Sequence, residues 1–245
     1  MVLRVAILDL LCETEVYGPM GNAEALRRIP DLEVLALNPQ FETGSLPSRG
    51  EWDGIPFSRA TMDDVDRLDA LLISGSKANL TIPEPWMEDA KKFVRNQVIA
   101  GVPTLGICFG HQLLAEAFGG RLVRAEEAFH NLSEVAVLQD DPLLAGCGRN
   151  HLQLFTHQDH VVEFPQDAIH LASAGHCQNA AFRLISEDGQ PYDAWGVQFH
   201  PESNQSILEY AVEKGDMPFK MDDPRISMLK GWRVLQNFAD VVMAR

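Results

Sequence analysis

No apolar run in this sequence approaches the roughly 20 residues needed to cross a bilayer as a helix, so no membrane span is expected. Positive charge is scarce. Twenty Lys and Arg stand against 35 Asp and Glu, a formal net charge of −15. With no Lys/Arg cluster to offset it, this balance argues against a nucleic-acid partner, whose phosphates need a basic patch. Cysteines are few, namely Cys12, Cys108, Cys147 and Cys177, and no two form a C-x-x-C pair, which removes zinc-ribbon and thioredoxin motifs. No repeat, low-complexity linker or phosphate-binding G-x-x-x-x-G-K-[ST] loop occurs. The opening "MVLRVAILDL" lacks the basic region and small-residue cleavage site of a signal peptide and reads as a first strand, so the expected location is the cytoplasm, with free thiols.

What is present is an ordinary globular composition, 46% hydrophobic and 22% charged over 245 residues, enough for one large α/β domain or two small ones. Short continuous apolar runs fall at 2–10, 32–37, 70–74, 104–108, 135–138, 152–156, 169–173, 180–185 and 194–199. Runs of this kind suit strands buried on both faces. Helical patterns lie between the early runs, at 21–29, at 84–100 (Trp86, Ala90, Phe93, Val94 and Val98 on one stripe) and at 110–118, closed by Gly119-Gly120. The alternation predicts an α/β fold with a mostly parallel, helix-flanked sheet, taken as one domain over 1–245. From about 133 the strands come in closer succession and read as an antiparallel edge. Residues 38–60 read as a long Gly/Pro/Ser-rich loop of the kind that often borders a site. Residues 205–245 read as a helical extension split by "GDMPFKMDDP", with Ile226, Leu229, Trp232, Leu235 and Phe238 at helical spacing in its last helix.

"TLGICFGHQLLAEAF" has the order strand, G-x-C-x-G, helix. This is the nucleophile-elbow pattern with cysteine in place of serine. Gly106 and Gly110 leave room where a Cβ would clash on a sharp turn, and the helix N-terminus favours a thiolate at Cys108. The N–H of Phe109 then points where an oxyanion would form. The same pattern also suits a tight β–α turn around a buried cysteine, so a base is needed.

"DAWGVQFHPES" supplies one. Pro201 biases His200 to an extended backbone, and Glu202, two residues on, faces the same side. The carboxylate can hold one ring nitrogen and leave the other for a thiol. A surface His-Pro-Glu turn would look alike. His111, three residues after Cys108, is the rival base, although packing suits it better. His151, His157 and His160 in "NHLQLFTHQDH" fit no helix-borne metal pair, and no metal or cofactor is expected. His130, His170 and His176 read as ordinary hydrogen-bonded histidines, and Cys12, Cys147 and Cys177 as small apolar fillers.

Together "LGICFGHQLLAEAFGG", "GVQFHPE", "LLISGSKANL" and "LFTHQDHV" resemble the class I (triad) glutamine amidotransferases over residues 2–204, with most likeness to the amidotransferase portion of GMP synthase and its stand-alone relatives. The resemblance implies that fold, of flavodoxin-like or Rossmann-like kind. It implies Cys108 as nucleophile on the glutamine carboxamide, His200 as proton carrier and Glu202 as its orienter. It also implies an oxyanion hole from the backbone N–H groups of Phe109 and the turn at Gly75 and Ser76, and substrate contacts from Gln112 and from the backbone around His157 and Gln158. Three stretches depart from the family pattern: Ser76-Lys77 replaces Gly-Pro, Gln158 stands where glycine is common, and "AFHNLSEV" replaces an E-x-G stretch.

The implied product is ammonia, released through a γ-glutamyl thioester. Only about forty residues follow Glu202, so the expected acceptor is a separate synthetase. Two alternatives are a γ-glutamyl peptidase with the same triad and a non-catalytic protein that keeps the fold. A partner protein or a homodimer is expected if the tail helices expose an apolar patch.

Overall fold

In the computed structural model, which describes residues 2–11, 21–23, 25–52, 54–215 and 220–245, the apolar runs become strands of a single sheet. Cys12 lies outside the described residues. The strands are β1 (Leu3–Leu8), β2 (Leu32–Leu37), β3 (Arg49–Trp52), β4 (Ile55–Ala60), β5 (Ala70–Ile73), β6 (Thr104–Ile107), β7 (Arg121–Val137), β8 (Asn150–Glu163), β9 (Ile169–Ala174), β10 (Cys177–Ile185) and β11 (Pro191–Val197). Their spatial order is β3-β4-β2-β1-β5-β6-β11-β10-β9-β7-β8. Neighbours from β4 to β11 run parallel, and those from β11 to β8, with β3 at the far edge, run antiparallel. This is the expected parallel sheet with an antiparallel edge.

Alternate side chains of the parallel strands enter opposite cores, as a period of two requires. Val5, Ile7 and Leu72 belong to one apolar cluster, and Ala6, Leu8, Leu71 and Ile73 to the other. Helices cover both. α1 (Pro85–Ile99) begins with proline in its first turn, where no intrahelical N–H is lost, and buries Met87, Ala90, Phe93, Val94 and Val98. It shares its face with α2 (Phe109–Ala117), and α4 (Trp232–Met243) covers the other face through Val234, Leu235, Phe238 and Val242. α3 (Gln205–Glu213) is capped by Asn204, whose Oδ1 accepts from the Ile207 N–H at 3.0 Å.

Three expectations are corrected. Among the described residues, the 21–29 pattern forms two short helical turns, Gly21–Ala23 and Leu26–Arg28. The 38–60 loop contains the β3–β4 hairpin, in which Trp52 stacks on Phe57 at 3.8 Å, and β4 extends the parallel sheet. The remainder of that loop lines a cleft of about 840 Å³ with Trp86 and Lys92, apart from Cys108 and His200. In the tail, Ile226 and Leu229 do not start the last helix. They lie in and just after a 3₁₀ turn, Pro224–Met228, and join Leu132, Leu154 and Leu208 in a third apolar cluster against the β7–β8 hairpin. Trp232 is 42% exposed.

Candidate active site

β6 ends at Ile107 and α2 starts at Phe109, so Cys108 alone makes the corner, at φ 53° and ψ −102°. A side-chain-bearing residue held there stores about 1–3 kcal/mol of strain. The surroundings over-determine it. The Cys108 N–H donates to the Val197 carbonyl at 2.8 Å, and its own carbonyl accepts from the Gln112 N–H at 3.2 Å. The flanking glycines let backbone meet backbone. A Cβ on Gly106 would strike the Gly110 carbonyl and reach His111 N at 2.9 Å. One on Gly110 would strike the Ile73 carbonyl and reach the Ile73 Cβ at 2.8 Å. The sulfur is buried and lies 3.4 Å from the Thr156 carbonyl on β8.

β11 is the parallel neighbour of β6, with Gly196 opposite Gly106 and Val197 opposite Ile107. The chain leaving β11 therefore passes beside the elbow. Its direction is fixed when the His200 N–H donates to the Leu154 carbonyl at 2.8 Å. His200 Nδ1 lies 2.8 Å from Glu202 Oε1, with both side chains almost wholly buried. The ring and Cys108 meet at Gly75, near enough for charge on the sulfur to act on the imidazole. Burial alone would lower the imidazole pKa. The negative charges of Glu202 and of a Cys108 thiolate outweigh it and raise the value to about 10. The site thus favours a protonated His200. The tail supports this turn, since a Cβ on Gly231 would meet the Pro201 carbonyl carbon at 2.7 Å.

The expected oxyanion elements converge on the same place. Phe109 is the first residue of α2, so its N–H has no intrahelical acceptor. Gly75 is buried, and a Cβ there would sit 3.3 Å from His200 Cε1 and 3.8 Å from Cys108 Cβ. The Ser74 hydroxyl locks that turn, accepting from the Leu10 N–H at 2.9 Å and donating to the Gly75 carbonyl at 2.8 Å. The Ser76 hydroxyl accepts from the Ala78 N–H at 3.1 Å, which ties its side chain into the turn and leaves backbone for any oxyanion.

Gln112 is buried, and its Nε2 donates to the Asp159 carbonyl at 2.7 Å and to Gln198 Oε1 at 3.1 Å. Its donors therefore hold β8 and the end of β11 in place. The Gln158 side chain turns to β7, where Nε2 donates to the Ala125 carbonyl at 3.0 Å and Oε1 accepts from Arg124 at 2.6 Å. It satisfies the backbone of an irregularity in β7 between Arg124 and Phe129. His157 is buried, and desolvation, with smaller contributions from nearby His160, His176, His200 and His111, pushes its pKa down to about 2. Asp159, which no sequence motif singled out on its own, is a second anchor. Its carboxylate accepts from the Thr81 N–H at 2.9 Å and hydroxyl at 2.7 Å, joining the segment after Gly75 to β8. Gln198, also unassigned, stands within "GVQFHPE".

His111 is fully buried against Phe182, 5.1 Å between ring centres, and burial lowers its pKa to about 4. It is a packing residue behind the elbow. Burial raises Cys147 to about 11 and Cys177 to about 12, which suits unreactive thiols. His130 Nδ1 lies 2.8 Å from the Thr156 hydroxyl, and His170 Nε2 lies 2.9 Å from the Gln178 carbonyl, as expected of ordinary histidines. His176 Nδ1 likewise lies 3.2 Å from the Ser133 hydroxyl, and its ring stacks on Phe129 at 3.5 Å.

Fold and site together define an α/β protein with a cysteine at a strand–helix elbow, a geometry suited to nucleophilic catalysis. Residues 55–213 match the family model described as Glutamine amidotransferase class-I. The chain belongs to the class I glutamine amidotransferases. It is similar to a subunit of the glutamine-hydrolyzing GMP synthase of Pyrococcus abyssi, 36% identical over 114 residues, covering 46% of this chain and 58% of that protein. The corresponding GMP synthase subunit of Methanothermobacter thermautotrophicus is 30% identical over 140 residues, 57% of this chain and 61% of that protein. The match thus spans about three fifths of these relatives' length. Among solved structures, a glutamine amidotransferase from Thermotoga maritima superposes with TM-score 0.72 at 18% identity, covering 100% of this chain and 99% of that one. One from Methylobacillus flagellatus superposes with TM-score 0.60 at 20% identity, covering 99% and 92%. At these identities the likeness is one of fold. Among the described residues, no helix is long and apolar enough to cross a membrane.

Proposed function

We propose that this protein hydrolyses the side-chain amide of glutamine and passes the ammonia to a separate synthetase. The observation that carries the reading is the strained Cys108, held against a buried His200–Glu202 pair at the end of the neighbouring strand. The Cys108 thiolate attacks the carboxamide carbon, and the carbonyl electrons move onto oxygen. The N–H groups of Phe109 and the Gly75–Ser76 turn receive that charge. The tetrahedral adduct collapses, the C–N bond breaks, and the leaving nitrogen takes a proton from the His200 imidazolium to depart as ammonia. His200, now neutral, removes a proton from water as it attacks the γ-glutamyl thioester. The C–S bond breaks, glutamate leaves, and the thiolate–imidazolium pair is restored. Glu202 keeps Nδ1 protonated and the ring oriented throughout. Relatives that are themselves named as one subunit of a glutamine-hydrolysing synthase support a separate acceptor.

Ammonia release from glutamine, measured beside cleavage of γ-glutamyl peptides with and without a candidate synthetase, tests the reading. Glutamine turnover that rises when the synthetase is added is the expected result. Fast peptide cleavage with negligible glutamine turnover under both conditions would assign the site to a γ-glutamyl peptidase instead.

The ion pair also sets a pH profile. His200 must carry a proton to release ammonia, so kcat/KM is expected to hold through neutral pH and fall as pH rises through about 10. Glu202→Gln removes a negative charge that raises this pKa. Its alkaline limb should move toward neutral pH, and its turnover should drop at least about 100-fold. An alkaline limb left unmoved in Glu202→Gln would show that Glu202 does not tune His200.

A further inference from the structure

His157 and His160 stand on β8, and Cys177 opens β10. One donor atom from each, two imidazole nitrogens and a thiol sulfur, lies within 4.8 Å of the others. Residues three apart on a regular strand face opposite sides. Here the irregularity in β7 opposite 157–159 distorts the ladder, and both rings reach the same neighbourhood. That explains why the spacing of these histidines showed no sign of a site in the sequence.

A second observation points to a ligand. Both ring nitrogens of His157 and Nε2 of His176 are buried, and among the described residues none has a hydrogen-bond partner. Buried polar atoms are ordinarily satisfied, and three orphaned nitrogens in one cluster call for an acceptor of lone pairs. The His176 ring centre lies 5.5 Å from that of His157, and its Nδ1 is held 3.2 Å from the Ser133 hydroxyl. Phe129 and Phe155 wall the cluster. The adjacent carboxylate, Asp159, is committed to Thr81 and Arg124. Imidazole and thiolate donors without a free carboxylate suit a borderline-soft ion and disfavour magnesium or calcium.

We propose that His157, His160 and Cys177 hold a divalent transition-metal ion of the zinc class, with the fourth position left to a ligand from solvent. The ion would tie β8 to β10 next to Thr156, whose carbonyl meets the Cys108 sulfur, and so brace the strand that walls the candidate active site. The inference stands independently of the proposed reaction.

The test uses the full chain stripped with chelator. Equilibrium dialysis against Zn²⁺ with metal analysis should find about one ion per chain. Co²⁺ should give a thiolate-to-cobalt charge-transfer band with tetrahedral absorption, and Zn²⁺ should raise the unfolding temperature. Cys177→Ser and the half-exposed His160→Ala should each weaken Zn²⁺ binding at least about 100-fold. Circular dichroism of the metal-free variants checks the fold, and if Cys177→Ser misfolds, His160→Ala carries the test. Cys108→Ser should keep both the ion and the band. A band lost in Cys108→Ser but kept in Cys177→Ser would place the ion on the candidate nucleophile and overturn the proposal. So would Zn²⁺ affinity weaker than about 100 µM in the intact chain.

Discussion

Cys108→Ala is expected to lose glutamine hydrolysis by about 10⁴- to 10⁶-fold, because in the proposed mechanism Cys108, His200 and Glu202 act as one unit and the other two have nothing to activate without the sulfur. The loss should appear in kcat, with glutamine binding retained. Stability should follow a different order among variants at this position. The strain lies in a Cβ-bearing residue at φ 53°, so Cys108→Gly, equally inactive, should unfold at a higher temperature than Cys108→Ala. Full turnover in Cys108→Ala would remove the proposed mechanism. A Gly variant less stable than the Ala variant would remove only the account of strain.

The second large effect is structural. Gly110→Ala would drive a methyl into the Ile73 carbonyl and side chain, and backbone at the centre of a sheet cannot step aside as a flexible side chain can. The expected cost exceeds about 3 kcal/mol. For a chain of this size that lowers the thermal midpoint by at least about 6–12 °C. Two comparisons separate crowding from other glycine effects. Gly119 has open space but φ +88°, so Gly119→Ala should cost about 1 kcal/mol. Gly175 has open space and no positive φ, so Gly175→Ala should stay within about 0.5 kcal/mol of the parent. A Gly110→Ala midpoint equal to that of Gly175→Ala would show that the elbow is not close-packed as described.

Much of the parallel half was legible because its strands are buried on both faces and therefore spelled in uninterrupted apolar letters. The run 32–37 is β2 residue for residue. β7 and β8 were read as short pieces near 135–138 and 152–156 but extend over Arg121–Val137 and Asn150–Glu163. Their extra length carries residues such as Arg121 and Glu163, whose side chains face solvent while their backbones pair across the hairpin, and hydrophobicity cannot report that. The Cys108–His200–Glu202 arrangement was legible because glycines and a proline punctuate it. Asp159 and Gln112 were harder to place, since their partners are backbone groups on distant strands. The His157–His160–Cys177 cluster was illegible because an irregular ladder, and no sequence spacing, brings it together.

That Cys108 and His200 extend from neighbouring parallel strands has a consequence for tolerance to change. The gap between the ends of their two strands is a rung of the β-ladder, fixed by hydrogen bonds at the centre of the molecule. Everything between them in sequence, from the end of α2 to the start of β11, is an excursion that leaves this rung and comes back to it. Lengthening or grafting new segments into the outer turns of that excursion, such as the one around Gly189, should therefore reshape what the site admits while leaving its reacting atoms in register.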